Sequence, residues 1–486
     1  MRTASLFLLW LVPLAAGLLL SVLGARRFTR AWALAVSLLV LAASVVVFVS
    51  TEQSTLAGFP GIRALAVTGL AVDGLSAVLL PLTSAIATAV LLAAPRADLD
   101  ARTASRVLVI EALVLGVLVS ANILMVAGFW IASLWPLFAD ARASRDPALR
   151  RATRWLVVAT ALPLIIATAA TAWLGLRAGV RPPFAVGALV DSGALRDAPS
   201  WVGALFVLGA VARMGVFPLH LWLPVVFERG RLPLVIPTIV SPLGSFALAR
   251  LGLSLFPAAM DTLRPALLIT GAVSALYGAL LALGQHNARR QLGFLYVSIA
   301  GFLLAGLASP EPQGVSGALF HDVAVTLAIT GLFAILRGVE ARTGTLDMRR
   351  LGGLVSRVPQ MATGYLLVGL ATVGFPGTAT FVSEDLLVQG LLHEHAVATV
   401  LLLGATALNG VSLLRSFKRI FLGPPAIHAP ALGHVEDLLP RERLVALAFI
   451  ACLLAGGFVP TPLLAIREGV VMGSAPRAGE SPAHAP

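Results

Sequence analysis

Arg213-Met-Gly-Val-Phe-Pro-Leu-His-Leu-Trp-Leu-Pro224 interrupts a long apolar run with a cation, a glycine, two prolines and a histidine. Proline removes a backbone donor and clashes with the preceding turn, so a helix entering this stretch has to break. Thr372-Val-Gly-Phe-Pro376 interrupts a second apolar run in a similar way. The helix after each break carries an arginine, in Ala-Leu-Ala-Arg250 and Ser-Leu-Leu-Arg415, and the offsets between the two copies, 158 and 165 residues, nearly agree. Broken apolar helices repeated along a chain point to an ion or substrate path.

The surrounding composition says what kind of helices these are. Of 486 residues, 58% are hydrophobic and 12% charged, with a mean hydropathy of +0.93. A soluble globular chain carries about 25% charged residues. A soluble enzyme, a disordered scaffold and a disulfide-rich secreted domain are excluded. The net charge of +12 comes from basic residues without any run of five, so no nucleic-acid footprint is present. One cysteine, Cys452, allows neither an internal disulfide nor a Cys-ligated cluster.

Fourteen apolar stretches are long enough to span a bilayer core of about 30 Å. They lie near 5–23, 31–49, 68–94, 106–121, 122–139, 154–174, 200–218, 233–256, 265–284, 293–308, 315–337, 361–389, 396–418 and 443–466. The hairpin between the fourth and fifth has no charged break. Residues 5–23 read as a first membrane helix rather than a cleaved leader. The long non-helical segments fall at 175–200, 338–359 and 419–442. The odd-numbered loops hold 24 Lys and Arg, the even-numbered ones 5 and the two tails 3. Positive charge accumulates on the cytoplasmic side, so odd loops are expected inside and both termini outside.

The fold expected is all-α and polytopic, with about 14 transmembrane helices in a plasma (inner) membrane. It comprises three N-terminal helices (1–100), two inverted five-helix repeats (104–256 and 265–423), and a C-terminal helix with a polar tail (424–486). The seventh and twelfth helices are the broken ones. Five helices separate the copies, an odd number, so the second crosses in the opposite sense.

Intramembrane ionisable groups cost about 2.5–3.5 kcal/mol each and need a reason. The candidates are Asp73, Glu111, Arg213, His220, His321, Asp322, Glu384 and Asp385. His220, bracketed by prolines, reads either as a proton carrier or as a cap on the broken helix. His321 reads as a relay member or as a structural hydrogen-bonder. Its neighbour Asp322 points about 100° away on a helix. Glu384, eight residues beyond Pro376, reads as a functional carboxylate or a solvated helix end. Asp73 reads as an N-cap, and Glu111 as reaching solvent from a helix end. His393, Glu394 and His395 read as a solvated outer loop. No phosphate-cradling loop, nucleophile elbow or metal-spaced His pair occurs, so no cofactor, metal or redox centre is expected.

Val72-Asp-Gly-Leu-Ser76, Phe217-Pro-Leu-His-Leu-Trp-Leu-Pro224, Gly317-Ala-Leu-Phe-His321, Gly374-Phe-Pro-Gly-Thr378 and Phe381-Val-Ser-Glu384 resemble the antiporter-like membrane subunits of respiratory complex I. So do Tyr277-Gly-Ala with Gln285, and Asp347-Met-Arg-Arg-Leu-Gly-Gly353. Glu436-Asp-Leu-Leu-Pro-Arg-Glu442 and Gly457-Phe-Val-Pro-Thr-Pro462 look most like the chain 4 (subunit M) branch. The resemblance runs over about residues 65–466. It implies a proton path through Glu384, His321, His220 and Arg213, no bound cofactor, and redox energy delivered by partner subunits.

Departures from the family accompany it. The fifth-helix glutamate expected after Phe129-Trp130 is Ile131, and the seventh-helix lysine is Arg213. The eighth-helix lysine aligns with Pro242 and a tenth-helix histidine with Ile299. Isoleucine cannot ionise and arginine does not deprotonate in proteins, so a degenerate N-terminal half-channel is expected. Three roles stay open: a proton-translocating subunit of a complex I-like NADH:quinone oxidoreductase; a subunit of a cation/proton antiporter or a proton-coupled inorganic-carbon transporter; or a non-conducting structural paralogue.

Overall fold

A computed structural model describes residues 2–24, 28–56, 69–196, 198–424 and 436–460. The C-terminal parts of the Gly457–Pro462 motif and of the expected 443–466 helix lie outside these residues, as do residues 57–68 and 461–486.

The helices run α1 (Arg2–Leu23), α2 (Thr29–Leu56), α3 (Gly74–Ala93), α4 (Ala101–Val119), α5 (Ile123–Ala143), α6 (Pro147–Arg177) and a short α7 (Val186–Asp191). The first broken crossing follows as α8 (Ser200–Met214) and α9 (Trp222–Arg229). Next come α10 (Leu232–Ile239), α11 (Leu243–Ala247), a π-turn over Leu248–Gly252 and α12 (Leu253–Leu255). After α13 (Pro257–Gly284), α14 (Ala288–Leu307) and α15 (Pro312–Thr343), the second broken crossing is α16 (Pro359–Thr372) and α17 (Ala379–Leu392). The last two are α18 (Ala396–Phe421) and α19 (Pro440–Phe458).

Local chemistry sets the starts. Asp73, Asp100, Asn122, Asp146 and Asn287 each accept a backbone N–H of the first turn, at 2.7–2.9 Å. Pro147, Pro257, Pro312, Pro359 and Pro440 occupy first helical positions. Asn122 resolves the uncharged hairpin between α4 and α5.

Among the described residues, eleven helical segments are long and apolar enough to cross a membrane. The other three expected crossings are also helical: α4, the broken α16–α17 pair, and α19. Three expectations need correcting. The segments 175–200 and 338–359 are not wholly non-helical, since the first contains α7 and α15 runs on to Thr343. The 233–256 stretch is not one helix, because Pro242 cannot donate within it and the run breaks at Val240–Pro242 into α10, α11 and the π-turn. Glu111 does not reach solvent: it lies in the middle of α4 and is 1% exposed.

The ends of odd-numbered loops meet on one face. There Arg337 pairs with Asp98 at 2.5 Å and with Glu340 at 3.3 Å, and Arg289 with Glu340 at 2.5 Å. Arg290 pairs with Glu228 at 3.1 Å, Arg229 with Asp146 at 2.9 Å, Arg106 with Asp140 at 2.7 Å, and Arg342 with Glu442 at 2.8 Å. These contacts join loops 3, 5, 7, 9, 11 and 13, as the alternation of crossings requires. The Arg229 guanidinium beside Asp146 holds that carboxyl below its usual range.

The opposite face is braced at Asp73, which caps α3 and pairs with Arg250 at 2.6 Å. Arg250 also donates to the carbonyls of Leu118 and Ser120 at the end of α4. Inside, α13 and α14 pack backbone to backbone: a Cβ on Gly271 would meet the Ala305 nitrogen at 2.6 Å. Small residues permit such close approach where lipid supplies no hydrophobic drive. The long α15 joins the two halves, packing on α3 and α10 and also on α14, α16, α17 and α19.

Candidate ion-path site

At the first break α8 ends where Gly215 turns left-handed, at φ +73°. The Phe217 N–H, freed from helical bonding, donates to the Ser274 hydroxyl of α13 at 3.1 Å. His220 is 3% exposed, and its ring centroid lies 5.8 Å from that of Phe217 and 5.0 Å from that of Tyr277. Its Nδ1 has no hydrogen-bond partner, so it caps nothing through that atom.

Arg213 stands one turn before the break and is 2% exposed. Its Nη2 donates to the Thr238 carbonyl at 2.8 Å and to the Ser133 hydroxyl at 3.4 Å. Nε and Nη1 have no partner. On α5, Ile131 is half-buried against the apolar core.

At the second break Gly374 and Gly377 take φ of +68° and +92° between α16 and α17. Hydroxyls again hold the freed backbone. Thr378 donates to the Phe375 carbonyl at 2.6 Å, and Thr380 donates to the carbonyl of Ala371. His321 on α15 is buried with Nδ1 3.0 Å from the Ser383 hydroxyl. Ser383 in turn donates to the Thr380 carbonyl at 2.8 Å, and Thr380 shares a hydrogen bond with Thr378 at 3.0 Å. A polar chain therefore links His321 to the break.

Glu384 sits on the other side of Ser383. Its carboxylate accepts the Thr406 hydroxyl of α18 at 3.3 Å and rests on Gly374, where a Cβ would stand 2.5 Å from Oε2. Glu384 is half-buried and Asp385 exposed, the latter accepting from Gln389 at 2.7 Å. Apolar side chains flank them on the same outer face, with Phe375 51% and Phe381 43% exposed.

The four expected path residues thus fall into separate places. His321 joins the second break through Ser383, and Glu384 lies on the outer side of that break. His220 sits among the rings at the first break, and Arg213 lines a different cavity. That cavity also contains Asp322, Tyr296, Ser245 and Pro242. Tyr296 and Ser245 carry no charge at neutral pH, and a search for intramembrane ions passes over them. His393 and Glu394 are exposed, as a loop position implies.

Residues 123–409 match the NADH:quinone oxidoreductase/Mrp antiporter transmembrane family. NAD(P)H-quinone oxidoreductase chain 4 1 of Picosynechococcus sp. is 28% identical over 405 residues, covering 80% of this chain and 75% of that protein. NADH-quinone oxidoreductase subunit M of Mycobacterium tuberculosis is 29% identical over 263 residues, covering 54% and 47%. A chain of respiratory complex I from Thermus thermophilus superposes with a TM-score of 0.85 at 25% identity, over 97% of this chain and all of that one. A chain of the Mrp complex from Dietzia sp. has the same fold, with a TM-score of 0.81 at 21% identity over 97% of both. The match spans more than half of the chain and both broken crossings: this protein is a multi-pass membrane protein of the NADH:quinone oxidoreductase/Mrp antiporter family, an antiporter-like subunit similar to those of respiratory complex I.

Proposed function

We propose that this chain is a proton-translocating membrane-arm subunit of a complex I-like NADH:quinone oxidoreductase, without a redox centre of its own. Glu384 carries the reading. It is a carboxylate held by Thr406 against the glycine of a broken helix, next in sequence to Ser383, whose hydroxyl bonds His321. A carboxyl in low dielectric changes its proton affinity with the charges around it, and freed backbone beside a break can hold water.

Residues 104–256 and 265–423 serve as two inverted repeats, followed by α19 and the tail. The first repeat lacks the family's ionisable pair, with Ile131 and Arg213 in its place. Odd loops face the cytoplasm and both termini lie outside, by the positive-inside bias. The outer face around Glu384, Asp385 and Phe381 belongs against another membrane subunit, because a carboxylate facing lipid alone is costly.

Purification of the tagged chain from its native membranes in mild detergent tests this. Co-purifying membrane subunits with NADH-driven quinone reduction are the expected result. Co-purification with membrane subunits alone, carrying no NADH oxidation, would move the chain to the cation/proton antiporter reading, which the Mrp fold likeness favours. A monodisperse single chain would count against both.

A further inference from the structure

We propose that Arg213 and Asp322 form the ionisable centre of the first repeat, with Asp322 the group that loads and releases the proton and Arg213 its fixed counter-charge. The proposal rests on the translocating role argued above and assigns it a second site. Asp322 belongs to α15, outside the first repeat, so the carboxylate missing from α5 is supplied by a helix of the other half.

Three observations carry it. Both side chains line one cavity of about 10 Å³, room for about one water. Both residues are almost wholly buried, at 2% and 4% exposure, and a buried charge without a counter-charge is strongly destabilising. Arg213 Nε and Nη1 have no hydrogen-bond partner among the described residues, Asp322 included, so a water in this cavity is what would join the two groups. Tyr296 stands on the same cavity wall, its hydroxyl donating to the Ile239 carbonyl at 3.0 Å.

The surroundings of Asp322 provide a proton switch. The Ser245 oxygen lies within hydrogen-bonding reach of both the Pro242 carbonyl, at 3.0 Å, and Asp322 Oδ2. A hydroxyl has one proton to give. With Asp322 ionised, Ser245 donates to it and leaves the Pro242 carbonyl. With Asp322 protonated, its O–H donates to Ser245 and the Ser245 proton turns to Pro242. One proton arrives on Oδ2, no other bond changes, and every oxygen keeps a partner in the protonated form.

No other charge competes at close range. Of the elements packed on α15, α3 and α10 carry no ionisable side chain, and α14 presents Tyr296, its Arg289 and Arg290 lying in the first turn against Glu340 and Glu228. On α16 the sole ionisable group, Tyr365, bonds Ser416. On α17, Glu384 is turned to Thr406 and Asp385 to Gln389. On α19, Arg441, Glu442 and Arg443 lie in the first turn, where Glu442 is taken by Arg342, and Cys452 is exposed. His321, the neighbour on α15 itself, is turned to Ser383.

A double-mutant cycle in the assembled complex separates this pair from the rest. Asp322→Asn and Arg213→Met should each lower the thermal midpoint, and the double variant should lose less than the sum of the two. In proteoliposomes Asp322→Asn should lose proton uptake per electron transferred, and Asp322→Glu should retain part of it. If Asp322→Asn fails to assemble, assembly of the double variant supports the pair and its failure overturns it. Additive midpoint losses, or wild-type proton uptake in Asp322→Asn, would overturn the proposal. The midpoint coupling does not depend on transport, so it stands or falls apart from the translocating role.

Discussion

The two breaks solve one problem in different ways. Each cuts a membrane-spanning helix after a left-handed glycine, and each repairs the freed backbone with hydroxyls. At the first, Ser274 reaches in from another helix and the neighbours are rings: Phe217, His220 and Tyr277. At the second, Thr378 and Thr380 belong to the break itself and continue through Ser383 to a buried histidine, with Glu384 pressed on the glycine. A break by itself is thus only architecture. What is placed against the glycine differs: Leu223 and Trp222 at the first, the Glu384 carboxylate at the second.

The sharpest way to test that difference is to add one methyl group at each glycine. A non-glycine residue at positive φ costs about 1–2 kcal/mol, so Gly215→Ala and Gly374→Ala should both lower the thermal midpoint of the detergent-solubilised complex. The nearest atoms to an added Cβ at Gly215 belong to Leu223 and Trp222, whereas at Gly374 they belong to the Glu384 carboxylate. Gly374→Ala should therefore also depress proton translocation in molecules that do assemble, and Gly215→Ala should not. Equal transport losses would erase the distinction between the breaks.

Bracing of the first half comes next in size. Asp73→Ala removes both the α3 cap and the Arg250 pair and should cost about 1–2 kcal/mol, read as a lower midpoint with transport per assembled complex unchanged. Removing single hydroxyls should follow. Ser274→Ala orphans the Phe217 N–H at a cost of about 1 kcal/mol and leaves transport alone. Thr380→Val should cost a similar amount, because it orphans the Ala371 carbonyl, and Ser383→Ala should slow transport as well, because it removes the hydroxyl that bonds His321. Transport loss in Ser274→Ala would place a proton route at the first break too.

The smallest effect is at the loop between α15 and α16, remote from both breaks. There Arg349 donates to Asp347 and holds its carboxyl at about 2. The unfolded carboxyl titrates near 3.9, so the folded-state pKa is depressed. The stabilisation is present above about pH 4 and is lost as pH falls towards about 2. Arg349→Ala should be slightly less stable than wild type at neutral pH and indistinguishable from it at the acid end. A stability difference that grows on acidification would contradict the assignment.

Much of this architecture was legible in the residues. Apolar runs marked the helices, because a bilayer admits little else. Gly–Phe–Pro punctuation marked both breaks, and the loop arginines marked the face where the ion pairs now stand. Reading one helix through 233–256 failed because the run stays apolar enough to cross and carries no acidic residue, and one interior proline, Pro242, decides the break. Glu111 was misplaced for a related reason. Its burial depends on Ser37 of α2, whose hydroxyl donates to it at 3.2 Å, and nothing local to α4 announces that partner. The site was legible only by residue type. His321 and Glu384 stood out as ions in apolar sequence. That Asp322 rather than His220 shares a cavity with Arg213 follows from α15 crossing between the halves, a long-range packing fact that no spacing along the chain records.

The central claim is that the second break moves protons through Glu384. Glu384→Gln keeps the shape and the Thr406 contact but removes the titratable charge. The assembled complex should be reconstituted in proteoliposomes, with electron transfer and proton uptake recorded in the same vesicles. The expected result is electron transfer with proton uptake well below wild type. Wild-type proton uptake in correctly assembled Glu384→Gln complex would contradict it and return the chain to a structural role.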